Sequence, residues 1–289
     1  MNTSVRKPPT GPPPSTGVLA KYARAYARQA GVSEGRVRGW IAYMILAGVL
    51  ERSPGTADGY RFTIKGGIAM ELRLREHARA TKDIDVVLHD QDADLARALE
   101  RAVLTDGSTD EHGFRFRRKG DPLTLDNGTV NLELAVTYLG GAWTSISVDV
   151  ARAEPGESEV ERLPAVPLAE AFGVTGPINV PCLPVRFHIA QKLHGMTLPP
   201  RPGARNERFK DLVDLLLLEA LVADYAGVLA ACELVFRTRG THEWPPMLDV
   251  PAHWIEPFAA LAREIDLPVT DARDAMARVR KLVERIQAA

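Results

Sequence analysis

The sequence predicts an α+β chain with mixed α/β character, on three observations. Residues 60–88 read as strand, helix, strand. Residues 114–152 read as short alternating strands with short connections. From Val185 the chain is helical to its end. The chain has 289 residues, enough for one large domain or two modest ones, and 45% of them are hydrophobic, an ordinary globular share. Lys and Arg total 36 against 37 Asp and Glu, so the net charge of -1 provides no global attraction to nucleic acid. Any such binding must come from a local patch. Cys182 and Cys232 lack metal-like spacing and read as reduced packing residues of a cytoplasmic protein. No apolar run reaches the length of a membrane span, so no membrane partner is expected.

The first 17 residues, "MNTSVRKPPTGPPPSTG", contain five prolines and no apolar core of a secretory signal, which predicts a disordered or polyproline-like tail. Residues 18–55 form an N-terminal helical segment. Ser33 is a candidate N-cap, and Val37, Trp40, Ile41, Met44 and Ile45 make an apolar stripe at helical spacing. Two helices before the "SPGTADG" turn resemble a small winged helix-turn-helix, which would bind DNA. The alternative is a helical cap packed on the next domain, favoured because the would-be recognition helix is apolar where it should be polar. Residues 56–155 are the core. "YRFTI" and "DIDVVL" are strands around the helix "GIAMELRLR"; "DADLARALERAVL" is a second helix; "FRFRR", "VNLELAVTYL" and "TSISVDVAR" are strands expected to pair antiparallel. The stretch 154–184 is Pro-rich and linker-like. Residues 156–289 are mainly helical, through "VRFHIAQKLHGM", "RFKDLVDLLLLEALV", "YAGVLAACELVFRTRG", "WIEPFAALAREI" and "TDARDAMARVRKLVERIQ".

The chemistry concentrates in "IKGGIAMELRLREHARATKDIDVVL" (64–88). Side chains alternate along a strand, so Asp83 and Asp85 share one face while Ile84 and Val86 point to the other. Their Cα atoms are roughly 6.6 Å apart. Two carboxylates so placed repel, unless cations sit between them; their oxygens suit one or two Mg2+ ions. Alone, the pair reads more readily as a solvated edge than as a metal site. Gly66 and Gly67 add weight: they follow a strand and open a helix, where a bare backbone and unpaired N–H groups favour a phosphate, and Lys65 adds a point charge. A third carboxylate is expected from another strand. Asp149 in "SISVDVA" is favoured over Glu133 in "NLELAV", because it sits near the end of a strongly alternating strand. The "FRFRRKG" segment puts Arg115, Arg117 and Lys119 on one face, either for an RNA backbone or as a protected edge. Arg201, Arg205 and Arg208 lie in the loop before the "KDLVD" helix, as a candidate phosphate funnel. The seven histidines are scattered, and no nucleophile elbow accompanies any serine.

These residues, with "AQKLHGM" and "RFKDLVDLLLL" downstream, resemble the AbiEii-type toxins of toxin–antitoxin systems, including the MenT toxins. The shared signature is K-G-G, then R-x-[ST]-x-D-I-D, then a Lys-bearing helix and an R-x-K-D-x-x-D-L helix, in order from Lys65 to about Leu218. The resemblance implies a bilobed protein with a DNA polymerase β-like nucleotidyltransferase core and a helical C-terminal lobe. It implies that Asp83 and Asp85 bind metal; Asp149, the third candidate ligand from strand alternation, departs from the family pattern in lacking a diagnostic motif. Lys65, Gly66, Gly67 and Thr81 would meet the NTP. Lys192 would be a catalytic or triphosphate-binding lysine, and Asp214, with Asp211 one turn earlier, a late catalytic aspartate. Residues 211 and 214 lie on one helix face, equally readable as its solvent stripe or as carboxylates partnered by Lys192, which taken alone reads as a solvated helix residue. Some relatives are silenced by phosphorylation at the position matching Thr81. The expected activity is Mg2+-dependent transfer of a nucleotide from an NTP to the 3′ end of tRNA, with pyrophosphate release and blocked translation. A cognate antitoxin is the expected partner. The alternatives are transfer to a protein hydroxyl, and a non-enzymatic winged-helix regulator of DNA.

Overall fold

A computed structural model describes residues 9, 11–55, 59–75, 81–90, 94–105 and 112–289. The chain divides into two compact units. Unit 1 holds the described residues of 1–73, 80–153 and 160–182; unit 2 holds those of 74–79, 154–159 and 183–289.

Unit 1 begins with α1 (Thr16–Ala30) and α2 (Glu34–Glu51). Ser15 and Ser33 cap them, their hydroxyls accepting from Val18 N and Arg36 N at 3.3 and 3.2 Å. Glu34 in the first turn of α2 is held below the usual carboxylate range by hydrogen bonds from Arg24 and Arg38. Residues 1–8 and 10 of the expected disordered tail lie outside the described residues. The part that is described is anchored: the Tyr138 hydroxyl donates to the Pro13 carbonyl at 2.7 Å, and Thr16 Oγ1 donates to Tyr138 O at 2.6 Å.

The sheet is built from β1 (Phe62–Lys65), β2 (Asp83–Leu88), β3 (Phe114–Arg118), β4 (Leu123–Thr124), β5 (Val130–Tyr138), β6 (Gly141–Arg152), β7 (Glu161–Pro164) and β8 (Asn179–Cys182). Helices α3 (Gly66–Leu74) and α4 (Leu95–Thr105) flank β2 in sequence, and α5 (Leu168–Phe172) lies between β7 and β8. The strand order is β3-β5-β6-β2-β1-β8-β7, with β4 beside β5. β2 runs parallel to β6 and β1 parallel to β8; the remaining pairs are antiparallel. The later strands β3, β5 and β6 pair antiparallel as their short connections predict.

Two expectations need correction. The Pro-rich stretch read as a linker supplies β7 and β8, which extend the sheet past β1. Residues 160–182 therefore belong with the core and not with the helical lobe expected from 156. Pro164 ends the edge strand β7, Pro167 and Pro177 lie outside the strands, and Pro181 lies within β8 opposite Arg162 of β7. The second correction concerns α2. The sequence showed an apolar stripe, yet every residue from Ile41 to Leu50 is buried. This half of the helix packs on β1, β6 and β8 and beside α1 and α4. A helix apolar all round is a core helix, so it cannot serve as the recognition helix of the winged-helix alternative.

Unit 2 is built on α6 (Val185–Thr197), α7 (Phe209–Glu219), α8 (Tyr225–Arg239), α9 (Ile255–Glu264) and α10 (Ala272–Gln287). α6 packs on α7 and α8, and α10 on the same two helices. Leu193, Leu212, Leu215, Cys232, Trp254 and Phe258 are fully buried between them. Burial pushes the thiols of Cys182 and Cys232 up, so both are inert packing residues, as their spacing predicts. The segment 154–159 is fastened to these helices. The buried Glu157 accepts from Gln191 Nε2 and from the Glu154 amide, and Arg239 grips the Glu154 carboxylate. Among the described residues, no helix is long and apolar enough to cross a membrane.

Candidate functional site

In unit 1, strand register assembles the acidic face. Lys65 pairs with Asp85 across β1 and β2, Asp85 with Asp149 across β2 and β6, and Asp149 with Asn131 across β6 and β5. Directly paired residues of neighbouring strands project to the same side. One register step away, Asp83 pairs with Ser147 and Ser147 with Glu133. The face therefore carries Asp83, Asp85 and Asp149 on adjacent strands, with Glu133 one strand further out. Ile84, Val86, Val148 and Val150 point the other way and are fully buried. Both candidates for the third carboxylate reach this face; Asp149 stands beside Asp85, and its Oδ1 accepts from Asn131 Nδ2 at 2.6 Å.

The two glycines are sterically required. Gly66 has φ +60°, and a Cβ there would lie 1.7 Å from Asp85 Oδ2. A Cβ on Gly67 would lie 2.3 Å from Thr81 Oγ1. Bare backbone thus meets the Asp85 carboxylate where α3 begins. Thr81 sits just before β2, and its hydroxyl donates to Asp83 Oδ1 at 3.2 Å and to Asp83 O at 3.1 Å. Its amide donates to Glu71 Oε1 at 3.1 Å. Tyr43, from the buried helix α2, donates to the Lys82 carbonyl at 2.7 Å. Burial, with the charges of Asp83, Glu71 and Glu133, pushes the Tyr43 phenol up to about 12, so it remains a donor. Tyr43, Glu71 and Asn131 hold the site from outside its signature. Sequence reading did not single them out, because each acts through a partner far along the chain.

The donors on this face are all oxygen, which suits a hard cation such as Mg2+. Among the described residues, no three His, Cys, Asp or Glu side chains converge as a ready-made metal cluster. The arrangement fits a cation that takes two carboxylates from Asp83 and Asp85 and completes its shell elsewhere.

In unit 2, Lys192 of α6 lies between Asp211 and Asp214 of α7. Its Nζ donates to Asp211 Oδ1 at 3.0 Å and to Asp214 Oδ2 at 2.6 Å, and all three residues are buried. Burial opposes the ammonium, but the two aspartates overcome it, and the net shift of Lys192 is upward. Asp211 and Asp214 are therefore not the solvent stripe of an amphipathic helix. Arg208 Nε stands 3.4 Å from Asp211 Oδ2, an ion pair too poorly aligned to be a hydrogen bond. The four charges sum to zero. Arg208 joins this cluster from an exposed position, and Arg201 and Arg205 are likewise exposed in the preceding loop.

Two residues after Lys192, His194 enters a directed chain. Arg239 donates to its Nδ1 at 3.3 Å, so Nε2 carries the proton toward Thr241 Oγ1 at 2.8 Å. Thr241 then donates to His242 Nδ1 at 3.1 Å, His242 Nε2 to Thr197 Oγ1 at 2.8 Å, and Thr197 to Leu193 O at 2.6 Å. Burial, then the charges of Arg239, His242 and Arg208, pushes His194 down to about 3. Burial also lowers His242. A depressed folded value means that the unfolded chain takes up the proton first. The stability held by His194 is complete above its ordinary value of 6.5 and drains away as pH falls from there toward 3. Thermal melting is expected to weaken steadily between about pH 6.5 and pH 4.5, with a shallower slope in His194→Gln. Equal slopes in the two proteins would remove His194 as the cause.

A family model described as nucleotidyl transferase AbiEii toxin, type IV toxin–antitoxin system, matches residues 49–287. Among solved structures, the chain is similar to MenT4, a nucleotidyltransferase toxin from Mycobacterium tuberculosis H37Rv. The TM-score is 0.57 at 19% sequence identity, over 95% of this chain and 98% of that one, a likeness of fold. No curated protein matches.

Proposed function

The chain belongs to the AbiEii family of nucleotidyltransferase toxins of type IV toxin–antitoxin systems, and from that premise we propose that it transfers a nucleotide from an NTP to the 3′ end of tRNA and so blocks translation. Membership implies a nucleotide substrate and an antitoxin partner. The observation that carries the reading is the pairing of a bare-backbone Gly66–Gly67 turn with Asp83 and Asp85 on one sheet face. In the proposed reaction the terminal hydroxyl of the acceptor gives up its proton to solvent, its oxygen forms a bond to the α-phosphorus, and the bond from that phosphorus to the oxygen bridging to the β-phosphate breaks. Pyrophosphate leaves with that electron pair. Gly66 and Gly67 are proposed to hold the triphosphate where α3 begins, and Lys65 adds positive charge on the Asp85 row. Asp83 and Asp85 would hold Mg2+, with Asp149 beside them; when bound, the ion neutralises charge along the in-line displacement. Lys192, Asp211 and Asp214 are proposed to act in transfer as one unit.

The test is incubation of the protein with each labelled triphosphate and either intact or periodate-oxidised tRNA. Label on intact tRNA alone is expected. Equal labelling of both, or label on protein alone, would replace this reading with transfer to another acceptor, a protein hydroxyl first.

Thr81 provides a second check. Its hydroxyl donates to the Asp83 carboxylate. A phosphate there removes that donor and adds about -1.5 to -2 charge beside two aspartates. Stoichiometric phosphorylation of Thr81 is expected to silence transfer, and Thr81→Glu to reduce it more than Thr81→Val. A fully phosphorylated protein that transfers at the normal rate would refute this.

A further inference from the structure

The acidic face does not end at the aspartates. From Asp83 the register runs outward through Ser147 to Glu133, and Glu133 O accepts from the Lys119 amide at 2.8 Å. One step along, Ser145 pairs with Ala135 and Ala135 with Arg117 on the edge strand β3. Ser145, Ala135 and Ser147 are small, so the sheet between the aspartates and β3 is a low polar ledge. Arg117 and Lys119 are exposed at its rim, and neither is in an ion pair among the described residues. Arg118, between them, faces the other way and is bound to Glu100 of α4 and to Asp121.

We propose that this ledge carries the acceptor strand, with Arg117 and Lys119 as contacts to its phosphates and Asp83–Asp85 at its reacting end. The inference rests on the RNA-acceptor reading of that same site. Three strand spacings separate β2 from β3, roughly 14 Å, which is about four nucleotides of a stacked strand. A chain whose terminal hydroxyl meets the aspartates therefore places its next few phosphates over the basic rim. Glu133 repels a phosphate directly above it and leaves Arg117 and Lys119 as the favourable positions. A ledge with charge at its rim and small side chains on its floor holds backbone, not base edges, which suits a single-stranded end. The competing role for exposed charge on β3 is to keep an edge strand from pairing with another chain.

The experiment measures tRNA binding by Arg117→Gln/Lys119→Gln across a salt series, beside wild type and Arg118→Gln. Both changed side chains are exposed, and thermal melting checks the fold. Loss of two phosphate contacts is expected to make the slope of log Kd against log salt shallower by about 1.4, ~0.7 for each contact on a single strand. Arg118→Gln should keep the wild-type slope, and triphosphate binding should be unchanged in all three proteins. An unchanged slope in the double variant, while wild type still labels intact tRNA, overturns the ledge and leaves the functional reading standing. An unchanged slope accompanied by self-association assigns these residues to edge protection instead. A wild-type protein that labels protein and does not bind tRNA overturns both the ledge and the RNA-acceptor reading.

Discussion

Replacing Asp83 or Asp85 with Ala is expected to reduce nucleotide transfer to background while the protein remains folded. The two carboxylates share an open face, while the residues between and after them, Ile84 and Val86, are fully buried on the other side. Truncation at Cβ therefore leaves the core untouched. Charge stabilisation of a transferring phosphoryl group amounts to several kcal/mol, or about a thousandfold in rate at 1.36 kcal/mol per factor of ten. Asp83 accepts the Thr81 hydroxyl, so its loss removes one hydrogen bond, about 1 kcal/mol, and offsets that by relieving repulsion from Asp85. Asp85→Ala relieves the same repulsion and opens space beside Gly66. Asp149→Asn is expected to fall between wild type and these variants, because Asp149 is paired with Asn131. Initial rates with labelled triphosphate, read beside melting curves, decide the matter. Near-normal transfer by either alanine variant would remove the proposed site.

The acidic pair and the glycines were legible in the sequence because they are local. Alternation along one strand puts Asp83 and Asp85 together without knowledge of any other strand. The strand-then-helix setting of Gly66–Gly67 likewise needs only its neighbours. What the sequence left open is set by pairing. Asp149 and Glu133 both lie in alternating strands, and only the parallel register of β2 with β6 puts Asp149 beside Asp85. β7 and β8 were hidden because prolines mask their extended segments, and a β8 of four residues is recognisable only from its partner β1. Tyr43 looked like one more residue of an apolar helix. Its function is visible only when its hydroxyl meets the carbonyl of Lys82, 39 positions later. Lys192 and Asp214 could be read as solvated helix residues because charge normally signals exposure. Their mutual pairing is what permits burial.

That pairing makes Lys192→Ala costly in two separable ways. Removing the ammonium leaves Asp211 and Asp214 buried beside each other, and breaking a buried ion pair from one side typically costs about 3–5 kcal/mol. Asp214→Ala removes the closer of the two carboxylates and leaves Lys192 with Asp211, so its cost should be smaller. Lys192→Met/Asp214→Leu replaces charge with apolar volume and should recover part of the loss, provided Asp211 retains Arg208. Because the folded Lys192 titrates above its ordinary value of 10.5, the stability it contributes is intact throughout neutral pH and is lost only as pH rises beyond that range. Transfer should behave differently from stability. If the three residues act as one unit, each single variant loses transfer strongly, and the double variant is little worse than either. A double variant that regains stability while remaining inactive separates the chemistry of this cluster from its structural role. A double variant whose activity returns with its stability would show that Lys192 and Asp214 serve the fold alone, and losses that multiply fully would show that the two residues act independently.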